Sequence, residues 1–341
     1  MRLHCAVRFL ALALVLLAIP AALSSPSSAQ IGIGIGISVH IGPPALPVYE
    51  QPICPTPGFL WTPGYWAWND DAGYYWVPGT WVQPPTVGLL WTPGYWGWNN
   101  GLYVWNGGYW GPHVGFYGGV NYGFGYGGVG FGGGEWRGGA FFYNTAVMHV
   151  DTVHITNVYV NNTVIVNNTS HVSFNGGEGG VAARPTPQEE AYSRETHTPP
   201  VAAQVQQEHA ASQNKALFAS NNHGAPAVAA TARPGEFSGK GVVGAKAAGA
   251  PYHAPAMSPK EARATPAESN NAMKGNAMKG DAMQNNAMKG DSHPATPPAH
   301  TEPAHPQAES HPANPPKAKP ANQPKPPKDN KKPPAEEKHE K

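Results

Sequence analysis

The sequence predicts a mainly β fold. It is expected to be a small meander of aromatic hairpin repeats plus a Val/Asn-rich strand block, with short helices and long disordered segments. Three observations predict it. Gly (41) and Pro (38) together make up about a quarter of the 341 residues, roughly twice average usage. Charged residues account for only 13%. All 11 tryptophans lie between Trp61 and Trp136, where aromatic residues at i, i+2 spacing are punctuated by turn residues. This composition argues against one large enzyme-like core. The net charge of +1 argues against a whole-chain polyanion binder.

Residues 1–29 read as a secretory signal peptide. Arg2 and Arg8 form a basic n-region, Phe9 to Leu23 is mostly apolar, and Ser27-Ser28-Ala29 places small residues before Gln30. The apolar run is short for a membrane span, which takes about 20 residues. No later stretch is long and apolar enough, so no transmembrane helix is expected after cleavage. The chain is therefore expected to be exported, to be periplasmic, outer-membrane-associated or extracellular. Cys5 leaves with the signal. Cys54 remains as a lone thiol, with pairing between chains and burial both open. Residues 30–58 form a Gly/Pro-rich linker in which Ile31, Ile33, Ile35 and Ile37 alternate with glycine, as in a weak strand.

Residues 59–111 carry the repeats. LWTPGYWAWN at Leu60 returns as LWTPGYWGWN at Leu90. Within each copy the pattern W-x-x-G-x-W occurs twice, as Trp61, Gly64, Trp66 and Trp76, Gly79, Trp81, then as Trp91, Gly94, Trp96 and Trp105, Gly108, Trp110. Pro63, Pro78 and Pro93 precede the motif glycines, whereas the last copy has Gly107. Pro-Gly fits the middle of a type II turn, with the glycine at positive φ, so these sites read as corners. Between motifs sit hairpin turns. Asn100-Gly101 predicts a two-residue turn that pairs Asn99 with Leu102, Trp98 with Tyr103 and Trp96 with Trp105. The looser Asn69–Gly73 turn predicts Trp68 opposite Tyr74 and Trp66 opposite Trp76. Gln83-Pro84-Pro85 joins the two repeats.

These residues resemble the YXWGXW (WXXGXW) repeat family of exported bacterial proteins. The resemblance is close over Leu60 to Trp110. Stretches beginning at His171 and Asn222 also look like segments that accompany such repeats. The resemblance implies an exported envelope protein. It carries no agreed activity and no catalytic residues.

The rest of the chain changes character stepwise. Residues 112–143 are a Gly/aromatic low-complexity segment, read either as a self-association element or as a disordered linker. Residues 144–180 are β-rich in Val, Asn and Thr, with a hairpin or successive rungs of a small ladder expected around Asn161-Asn162 and three N-x-S/T triplets at Asn161, Asn167 and Asn168. Residues 181–243 are weakly helical. Thr186-Pro187-Gln188-Glu189 is a capping box, and a second helix is expected from Thr198-Pro199 through Leu217 toward Asn221. Residues 244–341 are an Ala/Met/Lys/Gly then Pro/Lys/His-rich tail. It contains NAMKG repeats from Asn271 and no Ile, Leu, Val, Phe or Trp, so it is expected to be disordered.

No catalytic constellation stands out. Glu50, Asp70, Asp71, Glu135, Asp151 and Glu178 fall in no recognisable motif. The histidines, including His149, His154 and His171, lack the spacing of a structural zinc site, so no metal or cofactor is expected. The aromatic region lacks the basic groove that nucleic-acid stacking needs. The tryptophans serve either as a core too small for aliphatics or as a stacking surface for cell-wall polysaccharide, and the core reading is favoured. If one hairpin face stays open, Tyr65, Tyr75 and Tyr95 are the candidate ligand-facing residues. The expected function is a non-enzymatic structural or interaction protein of the bacterial envelope, with a carbohydrate- or cell-wall-binding module as the alternative.

Overall fold

A computed structural model describes residues 36–165 and 170–272. After a two-residue strand, β1 (Ser38–Val39), the first repeat comprises β2 (Leu60–Thr62), β3 (Tyr65–Asn69), β4 (Gly73–Val77) and β5 (Gly79–Val82). It is one long hairpin whose register runs unbroken. Trp61 faces Trp81, Thr62 faces Thr80, Tyr65 faces Val77 and Trp66 faces Trp76. The second repeat copies it with β6 (Leu90–Thr92), β7 (Tyr95–Asn99), β8 (Leu102–Asn106) and β9 (Tyr109–Gly111). There Trp91 faces Trp110, Trp96 faces Trp105 and Trp98 faces Tyr103.

The turns explain the register. Asn100 (φ 49°) and Gly101 (φ 89°) are both left-handed, as a type I′ turn requires. In the first repeat, the Asn69 side chain accepts hydrogen bonds from the Asp71 and Ala72 N–H groups and tightens the longer loop.

The expected type II geometry at the Pro-Gly corners does not form. None of Gly64, Gly79, Gly94 and Gly108 has a φ in the left-handed region. Proline breaks the ladder there, because it has no N–H to donate. Close approach, rather than φ, explains the glycines. A Cβ on Gly64 would lie 2.3 Å from the Trp76 ring, and one on Gly79 would lie 2.6 Å from the Trp61 ring. In the second repeat the corresponding contacts are Gly94 with Trp105 and Gly108 with Trp91, both 2.5 Å. Each motif glycine thus lies beneath the first tryptophan of the opposite motif.

The two repeats pack against each other through the same aromatic residues. Trp96 Nε1 donates to the carbonyl of Trp66, its counterpart in the first repeat, at 2.7 Å. Tyr74 meets Trp96 edge-on, and Tyr65 stacks on Trp105. All eight motif tryptophans are at most 8% exposed. The favoured core reading therefore describes them.

The Gly/aromatic segment is folded and is not a disordered linker. It forms β10 (Asn121–Gly123), β11 (Tyr126–Gly127), β12 (Gly134–Arg137) and β13 (Ala140–Asn144). Tyr117, Tyr122 and Tyr126 are buried within the core. Tyr122 donates to the Gly94 carbonyl at 2.7 Å, and Tyr126 donates to the Trp91 carbonyl at 2.9 Å. The hydroxyls satisfy carbonyls at the second repeat, which a Gly-spaced sequence can approach closely.

Further on, β14 (Val158–Tyr159) pairs in parallel with β13. Among the described residues no hairpin forms at Asn161-Asn162. Asn161 instead caps a 3-10 turn by accepting from the Thr163 N–H. Thereafter short pieces cover the repeat edges. β15 (Phe174–Asn175) lies parallel to β7, while β1 pairs with β8. Helix α1 (Pro187–Tyr192) has the expected capping box. Helix α2 (Ala202–Gln213) begins beyond Thr198 because Thr198 bridges Trp110 and Gln204 accepts from the Val201 N–H. It is followed by a 3-10 turn and α3 (Ala219–Asn222). β16 (Ala230–Thr231) pairs in parallel with β5 and antiparallel with β17 (Val242–Val243).

The expectation of disorder from Gly244 is corrected for residues 244–272. Ala247 bridges Val48, and α4 (Pro259–Ala262) starts at a Ser258–Glu261 capping box. Ala262 is fully buried and its carbonyl accepts from the His40 N–H at 2.8 Å. Backbone hydrogen bonds and small alanines substitute here for the missing large aliphatics. The signal peptide, Ile31–Ile35, the triplets at Asn167 and Asn168, the NAMKG repeats beyond Ala272 and the rest of the tail lie outside the described residues. Among the described residues no helix is long and apolar enough to cross a membrane.

Candidate functional site

The three tyrosines singled out as ligand-facing do not share an open face. Tyr75 is buried and packs against Phe218, which also bridges it through the backbone. Tyr65 is half-buried between the Trp105 ring and α2, and its hydroxyl donates to Glu208 Oε2 at 3.1 Å. Tyr95 is half-buried against Phe116. Segments far along the chain cover much of the side opposite the tryptophans, fully at Tyr75 and partly at Tyr65 and Tyr95.

The electrostatics follow from that cover. Burial pushes the Tyr65 hydroxyl well above its ordinary range, and the Glu208 charge adds to the shift. Burial likewise raises the Glu208 carboxyl, with the Tyr65 hydrogen bond opposing it. Burial pushes Tyr95 up to about 12. Cys54 is 4% exposed, and burial raises its thiol to about 11. Of the two fates open to that thiol, burial is the one adopted.

Several concavities remain among the described residues. The first lies under α2, where Gln207 Nε2 donates to the Pro78 carbonyl at 3.0 Å and Gln204 Oε1 accepts from Trp110 Nε1 at 2.8 Å. It is nearly closed, with about 40 Å³ left. The second, of about 370 Å³, lies between the second repeat and α1 and includes Tyr95, Tyr109 and Phe116. The third, of about 520 Å³, runs beside Trp68 and Tyr74 and is walled by His223, Tyr252 and His253.

The acidic residues weighed as catalytic are dispersed over the surface. Glu50 pairs with Lys246, Glu135 with Arg137, Asp71 with Lys260, Asp70 with Arg263 and Asp151 with His154. His149 is held by the Gln51 carbonyl at 2.8 Å. Among the described residues, no group of three or more His, Cys, Asp or Glu could hold a metal ion. Sequence reasoning passed over Glu208, which carries no local signal, and Tyr109, which stands at the same motif position as Tyr65 and Tyr95. It noted Glu189 only as a helix cap. The covering helices bring the two glutamates to the repeats, whereas Tyr109 belongs to β9 itself.

Fold and site together define a β protein whose core is an internal tryptophan repeat, reinforced by its own later segments. The WXXGXW repeat family matches the chain twice, at residues 57–82 and 87–110. No curated protein and no solved structure matches it.

Proposed function

We propose that the protein is an exported, non-enzymatic structural or interaction protein of the bacterial cell envelope. One observation carries the reading. The aromatic residues that make the sequence unusual are consumed in core packing, with all eight motif tryptophans buried and cross-strand paired. Such pairs stabilise by roughly 0.5–1.5 kcal/mol each beyond their area burial. They build a scaffold from a chain poor in aliphatic residues. Export rests on the signal-like residues 1–29 and on the repeat resemblance. Cell fractionation with N-terminal sequencing tests it. A mature chain beginning at Gln30 in the envelope fraction supports the reading, and a cytoplasmic chain beginning at Met1 refutes it.

The carbohydrate-binding alternative is favoured by a different observation from the one that first suggested it. The cleft beside Trp68 and Tyr74 is lined by aromatic rings, prolines and histidines, with no Asp, Glu, Lys or Arg. Uncharged aromatic clefts suit neutral ligands. Pull-down on isolated wall polysaccharide, repeated with Tyr252→Ala, distinguishes the readings. Retention that depends on Tyr252 supports the binding module. Oligomers formed without ligand support the structural role.

A further inference from the structure

The sequence contains three Asn-Gly pairs, at Asn100-Gly101, Asn106-Gly107 and Asn175-Gly176. Such a pair is chemically reactive. The glycine nitrogen can attack the preceding carboxamide carbon, because glycine has no Cβ to crowd the approach. The fold gives the three pairs different environments.

Asn175 is held firmly. Its Nδ2 donates to the carbonyls of Gly118 at 3.0 Å, Val181 at 2.9 Å and Ala183 at 2.8 Å. The Gly176 N–H, whose nitrogen would be the nucleophile, donates to the Val181 carbonyl at 2.9 Å. Asn106 is paired with Tyr95 in the β7–β8 ladder, and its Nδ2 donates to the carbonyls of Tyr95 at 3.4 Å and Val104 at 3.2 Å. Both amides must give up these bonds before their carbons can turn toward the next nitrogen. Asn100 is tied by none of this. It is exposed at the hairpin tip, and its side chain makes no hydrogen bond among the described residues. Gly101 is exposed beside it, with nothing within 4 Å of a Cβ built on it. Its N–H lies in the turn, beyond the last ladder pair of Asn99 with Leu102.

We propose that Asn100 is a site of spontaneous modification, converting to aspartate and isoaspartate in the folded protein. The Gly101 nitrogen forms a bond to Asn100 Cγ. The Cγ–Nδ2 bond breaks, and Nδ2 leaves as ammonia with the Gly101 proton. Water then opens the cyclic imide, at Cγ to give aspartate or at the backbone carbonyl to give isoaspartate. Aspartate tolerates the left-handed backbone of Asn100 (φ 49°) and keeps the turn. Isoaspartate routes the chain through its side-chain carbon and lengthens the turn, whose length sets the register. Beside the tip, Asn99 is buried and its Nδ2 donates to the Ala272 carbonyl. Ala272 is buried with Leu102 and Ala264. Isoaspartate at position 100 therefore loosens the seat of residues 264–272.

Incubation of the folded full chain in mildly alkaline buffer tests this. Peptide mapping by mass spectrometry reads the amide-to-acid conversion at each pair, and a protein-isoaspartate methyltransferase marks the isoaspartate. Asn100 is expected to convert at least about tenfold faster than Asn106 or Asn175, because it needs no local opening of hydrogen bonds. In denaturant the three rates are expected to converge, since glycine follows each asparagine. The separated isoaspartate form is expected to exchange amide hydrogens faster over residues 264–272 than the aspartate form. Conversion of Asn100 no faster than the other two in the folded chain, a rate difference that persists in denaturant, or equal exchange in the two product forms overturns the proposal.

Discussion

Gly64→Ala separates two explanations of the motif glycine. The new Cβ would lie 2.3 Å from Cζ2 of Trp76, 2.8 Å from the Gly79 nitrogen and 2.8 Å from the Val77 carbonyl oxygen. The ring has little room to retreat, because Trp76 is fully buried and its Nε1 donates to the Ala229 carbonyl at 2.9 Å. The other two contacts are backbone in the facing strand. Overpacking of a dense core costs about 1–3 kcal/mol, and backbone contacts put this case at about the upper end. For a folded unit of this size, that lowers the melting temperature by roughly 6–12 °C. Gly101→Ala is the contrast, since its φ is 89° with nothing within 4 Å of the added Cβ. Left-handed strain alone costs about 1–2 kcal/mol there. Asparagine tolerates the left-handed region, so Gly101→Asn is expected to be milder than Gly101→Ala. Gly64→Asn is expected to be no better than Gly64→Ala. Thermal unfolding followed by tryptophan fluorescence measures all four variants. A Gly64→Ala protein that melts with the wild type, or a rescue by Gly64→Asn, would falsify the close-approach explanation.

Other expectations follow from the same packing. Trp96→Ala is expected to cost about 3–5 kcal/mol, as for other buried aromatics, because Trp96 is 2% exposed and joins the repeats through Trp66. Its neighbour Trp98 is 42% exposed, so Trp98→Ala is expected to lie much nearer the wild type in a denaturant melt. Glu208 has its carboxyl raised in the fold above the ordinary 4.5. Its stabilising protonation is complete below that value and is lost as pH rises through the folded value. Melting temperatures of wild type relative to Glu208→Gln are therefore expected to fall from about pH 4.5 upward, and parallel pH profiles would count against a buried Glu208. Cys54, buried and raised to about 11, is expected to resist a thiol reagent until denaturant is added. A disulfide-linked dimer on a non-reducing gel would contradict that burial.

Much of the repeat architecture was determined by the sequence alone, because its causes are local. Asn100-Gly101 sets a two-residue turn, and the turn sets the opposite partner of every aromatic residue from Trp96 to Trp105. The Asn69 loop does the same with one residue more. The capping box at Thr186 is equally local and formed as read. The motif glycines mark the limit of that kind of reading. Pro-Gly has a well-known local meaning as a turn, but here the requirement comes from an indole on the facing strand. Only the tertiary structure decided what covers the hairpins. Phe218, Thr198, Phe174 and Ala230 reach the repeat edges from sequence that carries no periodicity, and they attach mainly by backbone hydrogen bonds that any residue can make. For the same reason alanine-rich residues such as Ala262 read as tail and fold as core. The face expected to expose Tyr75 closed, and Tyr65 and Tyr95 became half-buried, because unpaired strand edges and apolar rings gain more from distant, weakly patterned chain than from water.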